Sequence, residues 1–167
     1  GPCQGYRLAA DGKVFAMSGD TGWTKGTGWA INNAGGYQGS WRGVKSGVAS
    51  GSSELVNSNT VPVSPGQFIT VSAVIQTSGV SPNARACIRW LDASSTLISN
   101  EIGADIANSL STWRTSTASG VAPAGAAFMR FYVEGICNNV ADIVLVDQCT
   151  WNYSYVTPPG AFLYEAT

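Results

Sequence analysis

Hydrophobic and polar residues alternate along most of this chain with a period of two. The segment QFITVSAVIQ, residues 67–76, places four apolar residues on one side of a strand: Ile69, Val71, Ala73 and Ile75. The segment AFMRFYVEG, residues 127–135, repeats the pattern with Met129, Phe131 and Val133. Because successive side chains of a strand point to opposite faces, this period predicts half-buried β-strands.

Shorter segments of the same kind predict further strands at 28–32, 40–46, 53–58, 84–92 and 111–117. ADIVLVDQCTW, residues 141–151, is nearly continuously apolar, as expected of a central strand. Turn residues punctuate the chain at NNAGG, VSPG and VAPAGA. Only residues 99–109 are compatible with a helical turn. The pattern predicts an all-β fold, an antiparallel two-sheet β-sandwich.

The segment ARACIRWLDASSTLIS, residues 84–99, concentrates charge in a chain that has little of it. Alternation divides its strand into an apolar face, with Ala86, Ile88 and Trp90, and a second face with Arg85, Cys87 and Arg89. The second face is therefore the first place to search for function.

Length and charge narrow the range of functions. The chain has 167 residues, which suits one main domain, and a net charge of −1, which does not favour nucleic acid as a partner. No apolar stretch approaches the roughly 20 residues of a membrane helix. We expect a sandwich over residues 15–153. We expect residues 1–14 to form an N-terminal segment, in which Gly1-Pro2 looks like a scar of tag cleavage, and residues 154–167 to form a linker or a packing segment.

The chain contains no histidine and four cysteines. Without histidine, the commonest general base is missing and neither a Ser-His-Asp nor a Cys-His set can form. The cysteines match no zinc spacing, so free buried thiols are expected, and a bridge between Cys3 and Cys149 stays open. Glu134 has no evident acidic partner on its face for glycosidase chemistry. We therefore predict that the protein is not an enzyme.

Several motifs in order resemble carbohydrate-binding modules of families four and nine. They are TGWTKGTGWAI with GGYQGSW, VSPGQFITVSAVIQTSG, ARACIRWLDASSTLIS, STWRTSTASGVAPAGAAFMRFYVEG and IVLVDQC, and together they cover roughly residues 15–150. The resemblance implies a jelly roll, a fold found on phage tail and fibre proteins and on secreted glycosidases. In the family the ligand lies on the concave face of one sheet or at its loop edge.

The resemblance also implies an order of strands. One sheet would contain 40–46, 127–134, 68–76 and 84–92, and the other 28–32, 142–151, 53–58 and 111–117. In that order the strand at 68–76 separates Cys87 from Cys137 by about twice the ~4.8 Å strand spacing. A disulfide tolerates Cα atoms only up to roughly 7 Å apart, so no bridge between these two cysteines is expected.

Applied to these residues, the implied order predicts a saccharide site on one sheet face. Its members are Arg89, Arg130, Tyr132, Glu134 and Gln76, with Trp41 as an alternative platform at the sheet edge. Tyr132 would stack on the sugar ring, and the arginines would donate to hydroxyls or to an acidic group. The alternative is a surface network of ion pairs without a ligand.

The family often carries a structural calcium ion, and no other cofactor is implied. Asp147 matches the last-strand aspartate of that site, whereas the early acidic position falls on Ala16, for which Asp20 is the candidate substitute. Calcium takes six to eight oxygen ligands, so the change to alanine weakens this expectation.

The resemblance implies a non-catalytic glycan-binding module of a larger extracellular or phage tail receptor-binding protein, located outside the cell or on the virion exterior. Its partners would be a cell-surface or polymeric glycan and neighbouring domains, with a homotrimer as the expected parent assembly. The alternative function is a structural spacer without a ligand. It is favoured by the few aromatic residues on the predicted face.

Overall fold

The computed structural model describes residues 13–155, which form β-strands and no helix. The strands are Lys13–Val14 (β1), Trp23–Lys25 (β2), Trp29–Asn32 (β3), Arg42–Ser46 (β4), Gly51–Asn57 (β5), Val61–Pro62 (β6), Gln67–Ser78 (β7), Asn83–Leu91 (β8), Leu97–Ile102 (β9), Ile106–Ala107 (β10), Arg114–Val121 (β11), Phe128–Cys137 (β12) and Ile143–Tyr155 (β13). Within these residues no helix is long and apolar enough to span a membrane. The predicted segments 1–14 and 154–167 lie almost entirely outside the described residues.

Two antiparallel sheets contain all of these strands. Sheet A has the order β11-β7-β13-β4-β3, with β1 beside β13. Sheet B has the order β10-β8-β12-β5-β2, with β9 beside β8 and β6 beside β12. The predicted all-β, two-sheet sandwich is confirmed.

The core lies between the inner faces of the two sheets. Its largest fully buried side chains include Trp90, Phe131 and Leu55 from sheet B and Ile69 and Ile75 from sheet A. The alternation read from the sequence therefore assigns the inward residues of β7, β8 and β12 correctly. Burying one such aliphatic side chain stabilises the fold by about 1.5–3 kcal/mol.

The predicted distribution of strands between the sheets is wrong. β7 and β4 belong to sheet A, with β3, β11 and β13, whereas β5 belongs to sheet B with β8 and β12. Alternation gives the inward side of a strand but not its neighbours, because either inner face can bury the same apolar row. The outward residues of β7 therefore do not share a face with those of β8 and β12.

No strand separates Cys87 from Cys137 in this order, in contrast to the prediction. β8 and β12 are direct neighbours, and Cys87 lies opposite Tyr132, five residues before Cys137. The two cysteines are therefore about 16 Å apart along the strands at the usual rise per residue. Both are free and buried, as is Cys149, whereas Cys3 lies outside the described residues.

A β-bulge in β13 reverses the alternation of this central strand. Val144 and Val146 face the core before the bulge, and Cys149 faces it afterwards. Gln148, at the bulge, has a φ of 50°. Residues 141–151 read as nearly continuously apolar because Ile143 and Leu145, on the outward side before the bulge, are apolar as well. The segment 99–109, which allowed a helical turn, instead contains part of β9 and all of β10.

Asp142 connects two turns that pass from one sheet to the other. Its Oδ1 accepts the N–H groups of Val80 and Ser81 in the β7–β8 turn, at 2.7 and 3.2 Å. Its Oδ2 accepts those of Asn138 and Asn139 in the β12–β13 turn, at 2.8 and 2.9 Å. Burial acts to raise the pKa of Asp142, but these hydrogen bonds outweigh it and lower the pKa.

Candidate functional site

The outward surface of sheet B, here called face B, brings together four of the predicted site residues. Arg130 lies directly opposite Arg89, and Tyr132 and Glu134 follow on the same side of β12. Gln76 and Trp41 are elsewhere, since β7 and the loop before β4 belong to sheet A. The predicted set is therefore divided between opposite surfaces of the sandwich.

The charged side chains of face B largely satisfy one another. The Arg89 Nη2 atom donates to both carboxylate oxygens of Glu54 at 2.9 Å. The Arg85 Nη2 atom lies 2.6 Å from Oε1 of Glu134, whose other oxygen accepts from the Ser52 hydroxyl at 2.8 Å. Arg85 also pairs with Asp105. These contacts match the ion-pair network that the sequence left as the alternative.

Tyr132 is not available to stack on a sugar in this arrangement. The Arg89 guanidinium carbon lies 4.2 Å from the centroid of its ring, and the residue is only 3% exposed. Its hydroxyl donates to Asn100 at 3.3 Å, and burial raises the pKa of that hydroxyl. The ring therefore makes a cation–π contact with the Arg89 guanidinium, which covers the face that a sugar would stack on.

The outward surface of sheet A, here called face A, is lined by hydroxyl groups. The hydroxyls of Ser72 and Thr117 lie 2.9 Å apart, and those of Thr70 and Ser119 lie 3.0 Å apart. Thr150 of β13 lies opposite Ser72 on the other side of β7 from Thr117. A hydroxyl both donates and accepts, so these groups keep hydrogen-bonding capacity for a ligand after they have paired.

The loop at residues 33–41, here called the strap, connects β3 to β4 and crosses face A. The Gln38 N–H donates to Oδ2 of Asp147 in β13 at 2.9 Å, and the Gln148 side chain donates to Oε1 of Gln38 at 2.7 Å. Gly36 packs so closely on Asp147 that a Cβ atom would overlap the carboxylate. The strap is thus fastened above the centre of sheet A.

Two aromatic rings meet where the strap reaches the far side of face A. The centroids of Tyr37 and Trp113 are 5.8 Å apart at an interplanar angle of 60°. Tyr37 is 49% exposed, and Trp113 is half-buried. Trp113 precedes Arg114, the partner of Ile75, and therefore adjoins Gln76, which is half-buried on the outward side of β7. This group combines an open ring with a neutral amide.

Trp41 does not have the position that its proposed stacking role required. That role assumed that Trp41, Gly43 and Lys45 share an outward face, but Gly43 and Lys45 are buried. The Lys45 Nζ atom donates instead to the Ala49 carbonyl at 3.0 Å. Arg42 and Val44 are the outward residues of β4, and Arg42 donates to Asn32 at 3.1 Å.

Sequence reasoning missed three residues that the structure makes important. Tyr37 lies in a glycine-rich loop without periodicity, and only its flanking turn residues marked the strap. Glu54 lies directly opposite Glu134 on β5, so the prediction that Glu134 has no acidic neighbour on its face is wrong. Asp142 lies at the start of an apolar run. A single carboxylate in such a run indicates a structural role, because a buried carboxylate needs hydrogen-bond donors.

The residues present do not form a recognisable calcium site. Asp147 accepts the N–H groups of Gln38 and Gln148, whereas Asp20 pairs with Lys25 beside sheet B at 2.9 Å. Within residues 13–155, no three His, Cys, Asp or Glu side chains group together as metal ligands. This donor set does not fit the six to eight oxygen ligands of calcium.

Comparison with known proteins identifies the fold through solved structures, but no family is matched by sequence. No family model matches the chain, and no curated protein matches it. Among solved structures, the CBM22-1 xylan-binding domain from Paenibacillus barcinonensis Xyn10C superposes with a TM-score of 0.61 at 14% identity. The match covers 87% of this chain and 97% of that one.

Two further structures show the same fold inside larger chains. A Clostridium thermocellum xylanase 10B fragment, CBM22-1 with its GH10 module in complex with xylohexaose, matches with a TM-score of 0.62 at 15% identity, over 84% of this chain and 28% of that chain. The enzymatically active domain of tailspike protein 4 from bacteriophage CBA120 matches at 0.53 and 14% identity, over 80% and 20%. The chain therefore has the β-sandwich fold of carbohydrate-binding modules.

Proposed function

We propose that this chain is a non-catalytic glycan-binding module and that a saccharide binds on face A beside the strap. The observation that carries the proposal is the exposed Tyr37 ring in contact with Trp113. Sugars are bound by aromatic rings that cover their C–H faces and by polar groups that pair with their hydroxyls. Face A offers both kinds of group within a few residues.

Face A suits a neutral, hydroxyl-rich chain. The strap supplies the aromatic contact, and the rows Ser72–Thr117 and Thr70–Ser119 continue from it along the sheet. Asp147, the carboxylate on this face nearest the strap, already accepts two backbone N–H groups. Recognition here therefore depends on hydroxyls, amides and ring stacking more than on charge.

The chemistry of the described residues favours binding over catalysis. Glu54 and Glu134 are cross-strand neighbours, but each is held by an arginine, the arrangement of a structural ion-pair network. A glycosidase instead places an acid and a base or nucleophile on either side of the scissile bond. Burial raises the pKa of the thiols of Cys87 and Cys149, which disfavours their reactive thiolate forms.

The proposed setting is a larger extracellular protein or a phage tail or receptor-binding protein on the virion exterior, with a homotrimeric parent assembly. Support comes from the neighbours described above, in which similar folds are parts of longer chains that include a xylanase and a tailspike. The resemblance to families four and nine stays a prediction from the sequence. A structural spacer is the competing function.

A glycan array followed by titration calorimetry tests the proposal. The array should contain xylan and β-1,4-galactan oligosaccharides, which solved relatives bind, together with other neutral and acidic glycans. Trp113→Ala and Tyr37→Ala should each weaken binding of the selected glycan about tenfold, because a stacking surface is lost. Thermal unfolding should confirm that both variants are folded.

Phe68→Ala is the matched control. Phe68 is 36% exposed on the same side of β7, but it lies eight residues from Gln76, about 26 Å along the strand. Its removal should leave unchanged the affinity for a disaccharide, which is too short to extend from the strap to Phe68. Equal affinities of wild type and Trp113→Ala would exclude the strap site, and the absence of any bound glycan would favour the spacer.

A further inference from the structure

Three outward arginines line face B, but only two of them have partners. Arg85 uses Glu134 and Asp105, and Arg89 uses Glu54. These pairs occupy the three carboxylates around the arginines. Within residues 13–155, the Arg130 side chain makes no ion pair or hydrogen bond, although it lies on the central strand of the sheet.

The surroundings of Arg130 are unfavourable for an isolated cation. Its Cα partner across the strand pair is Arg89, and like charges directly opposite each other destabilise a sheet. Its Nε atom is shielded from water and has no hydrogen-bond partner. Arg130 itself is half-buried, and a shielded N–H donor without a partner carries a desolvation cost that is recovered only when an acceptor arrives. On the other side of β12, the Glu54 carboxylate of β5 is already paired with Arg89, and β6 contributes only Val61 and Pro62.

We propose that Arg130, supported by Arg89, is a binding site for an oxyanion carried by an acidic saccharide, on the sheet opposite the strap. A carboxylate or sulfate ester would accept from the planar fork of Arg130. Arg89 would add positive potential while it remains paired with Glu54. The site is independent of the strap site, since it belongs to face B and recognises charge.

Calorimetry with defined probes tests this site directly. The probes are an oligogalacturonate, a sulfated heparin oligosaccharide and inorganic sulfate, each at low ionic strength. Wild type should bind at least one of the two saccharides, and Arg130→Gln should weaken that binding about tenfold or more. Arg114→Gln, which removes an exposed arginine from sheet A, is the matched control and should bind as wild type does.

Stability in the absence of anions provides a second readout. Arg130→Gln should unfold at an equal or higher temperature than wild type without anions, because the like-charged pair with Arg89 across the strands is removed. Added inorganic sulfate should raise the unfolding temperature of wild type more than that of the variant. Arg130→Lys keeps the charge without the planar fork and should retain part of the affinity.

Several results would overturn the proposal. The first is that neither saccharide binds. The second is that Arg114→Gln loses as much saccharide affinity as Arg130→Gln. The third is that inorganic sulfate binds but neither saccharide does, which would indicate an adventitious ion only. Trp113→Ala separates this site from the proposed function, because the variant should bind the acidic saccharide with wild-type affinity. If Trp113→Ala abolishes acidic binding while Arg130→Gln does not, the anion belongs to face A and the face B site is wrong.

Discussion

The two outward faces of this sandwich use polar residues in opposite ways. On face B, arginines and glutamates pair with one another over a buried tyrosine ring, so most of their hydrogen-bonding capacity is used within the protein. On face A, short hydroxyl side chains pair with each other, and the strap presents an exposed ring, Tyr37, where it contacts Trp113 just before β11. On face B the paired charges of Arg85 and Arg89 therefore do not by themselves identify a ligand site, in contrast to the unpaired side chain of Arg130.

The largest expected effect comes from Asp142, which fastens the turns that join the two sheets and so supports both faces. Asp142→Ala leaves four N–H groups without their acceptor, and the free energy of unfolding at pH 7 should fall by at least about 3 kcal/mol. Urea unfolding measures it. Asp92→Ala is the control, because Asp92 accepts N–H groups only in an exposed turn, and it should cost about 1 kcal/mol or less.

The same residue predicts a pH dependence. The folded-state pKa of Asp142 is lowered, so its stabilisation is complete above the unfolded pKa of about 3.9 and is lost as the pH falls through the folded value. The difference between wild type and Asp142→Asn in the free energy of unfolding should therefore be the same at pH 7 and pH 5 and smaller at pH 3. A constant difference would show that the carboxylate charge is not responsible.

Substitution of an arginine should lower the free energy of unfolding more on face B than on face A. Arg89→Ala removes both the pair with Glu54 and the contact with Tyr132, and should lower the free energy of unfolding by about 1–2 kcal/mol. Arg42→Ala loses one hydrogen bond to Asn32 on face A and should change it by about 0.5 kcal/mol or less. Equal losses would mean that the network on face B adds little beyond ordinary surface contacts.

The smallest effect concerns the hydroxyl rows of face A. Thr117→Val removes the hydrogen bond to Ser72 and should cost about 0.5 kcal/mol. Thr115→Val is the matched control, since Thr115 lies opposite Val74 and should be neutral or slightly stabilising there. Denaturant unfolding of both variants checks the difference. If Thr115→Val costs as much as Thr117→Val, the hydroxyl pairs are not structural contacts.

Face B also shows how far sequence reasoning reached. The alternation placed Arg89, Arg130, Tyr132 and Glu134 on outward sides, and the structure brings them together. Gln76 was added to the same surface only through an assumed strand order, and it lies on the other sheet. The four short strands β1, β2, β6 and β10 were not predicted, because two or three residues do not define a period.

The sequence by itself determined the all-β class, the long strands and the inward side of most of them, since these follow from alternation, a local property of the chain. The neighbours of each strand, the pairing of Arg89 with Glu54 and the crossing of the strap over Asp147 were decided only by the tertiary structure. These contacts join residues that are 35 and 109 positions apart. They depend on which edges and faces meet when the sheets close, and no local pattern encodes that choice.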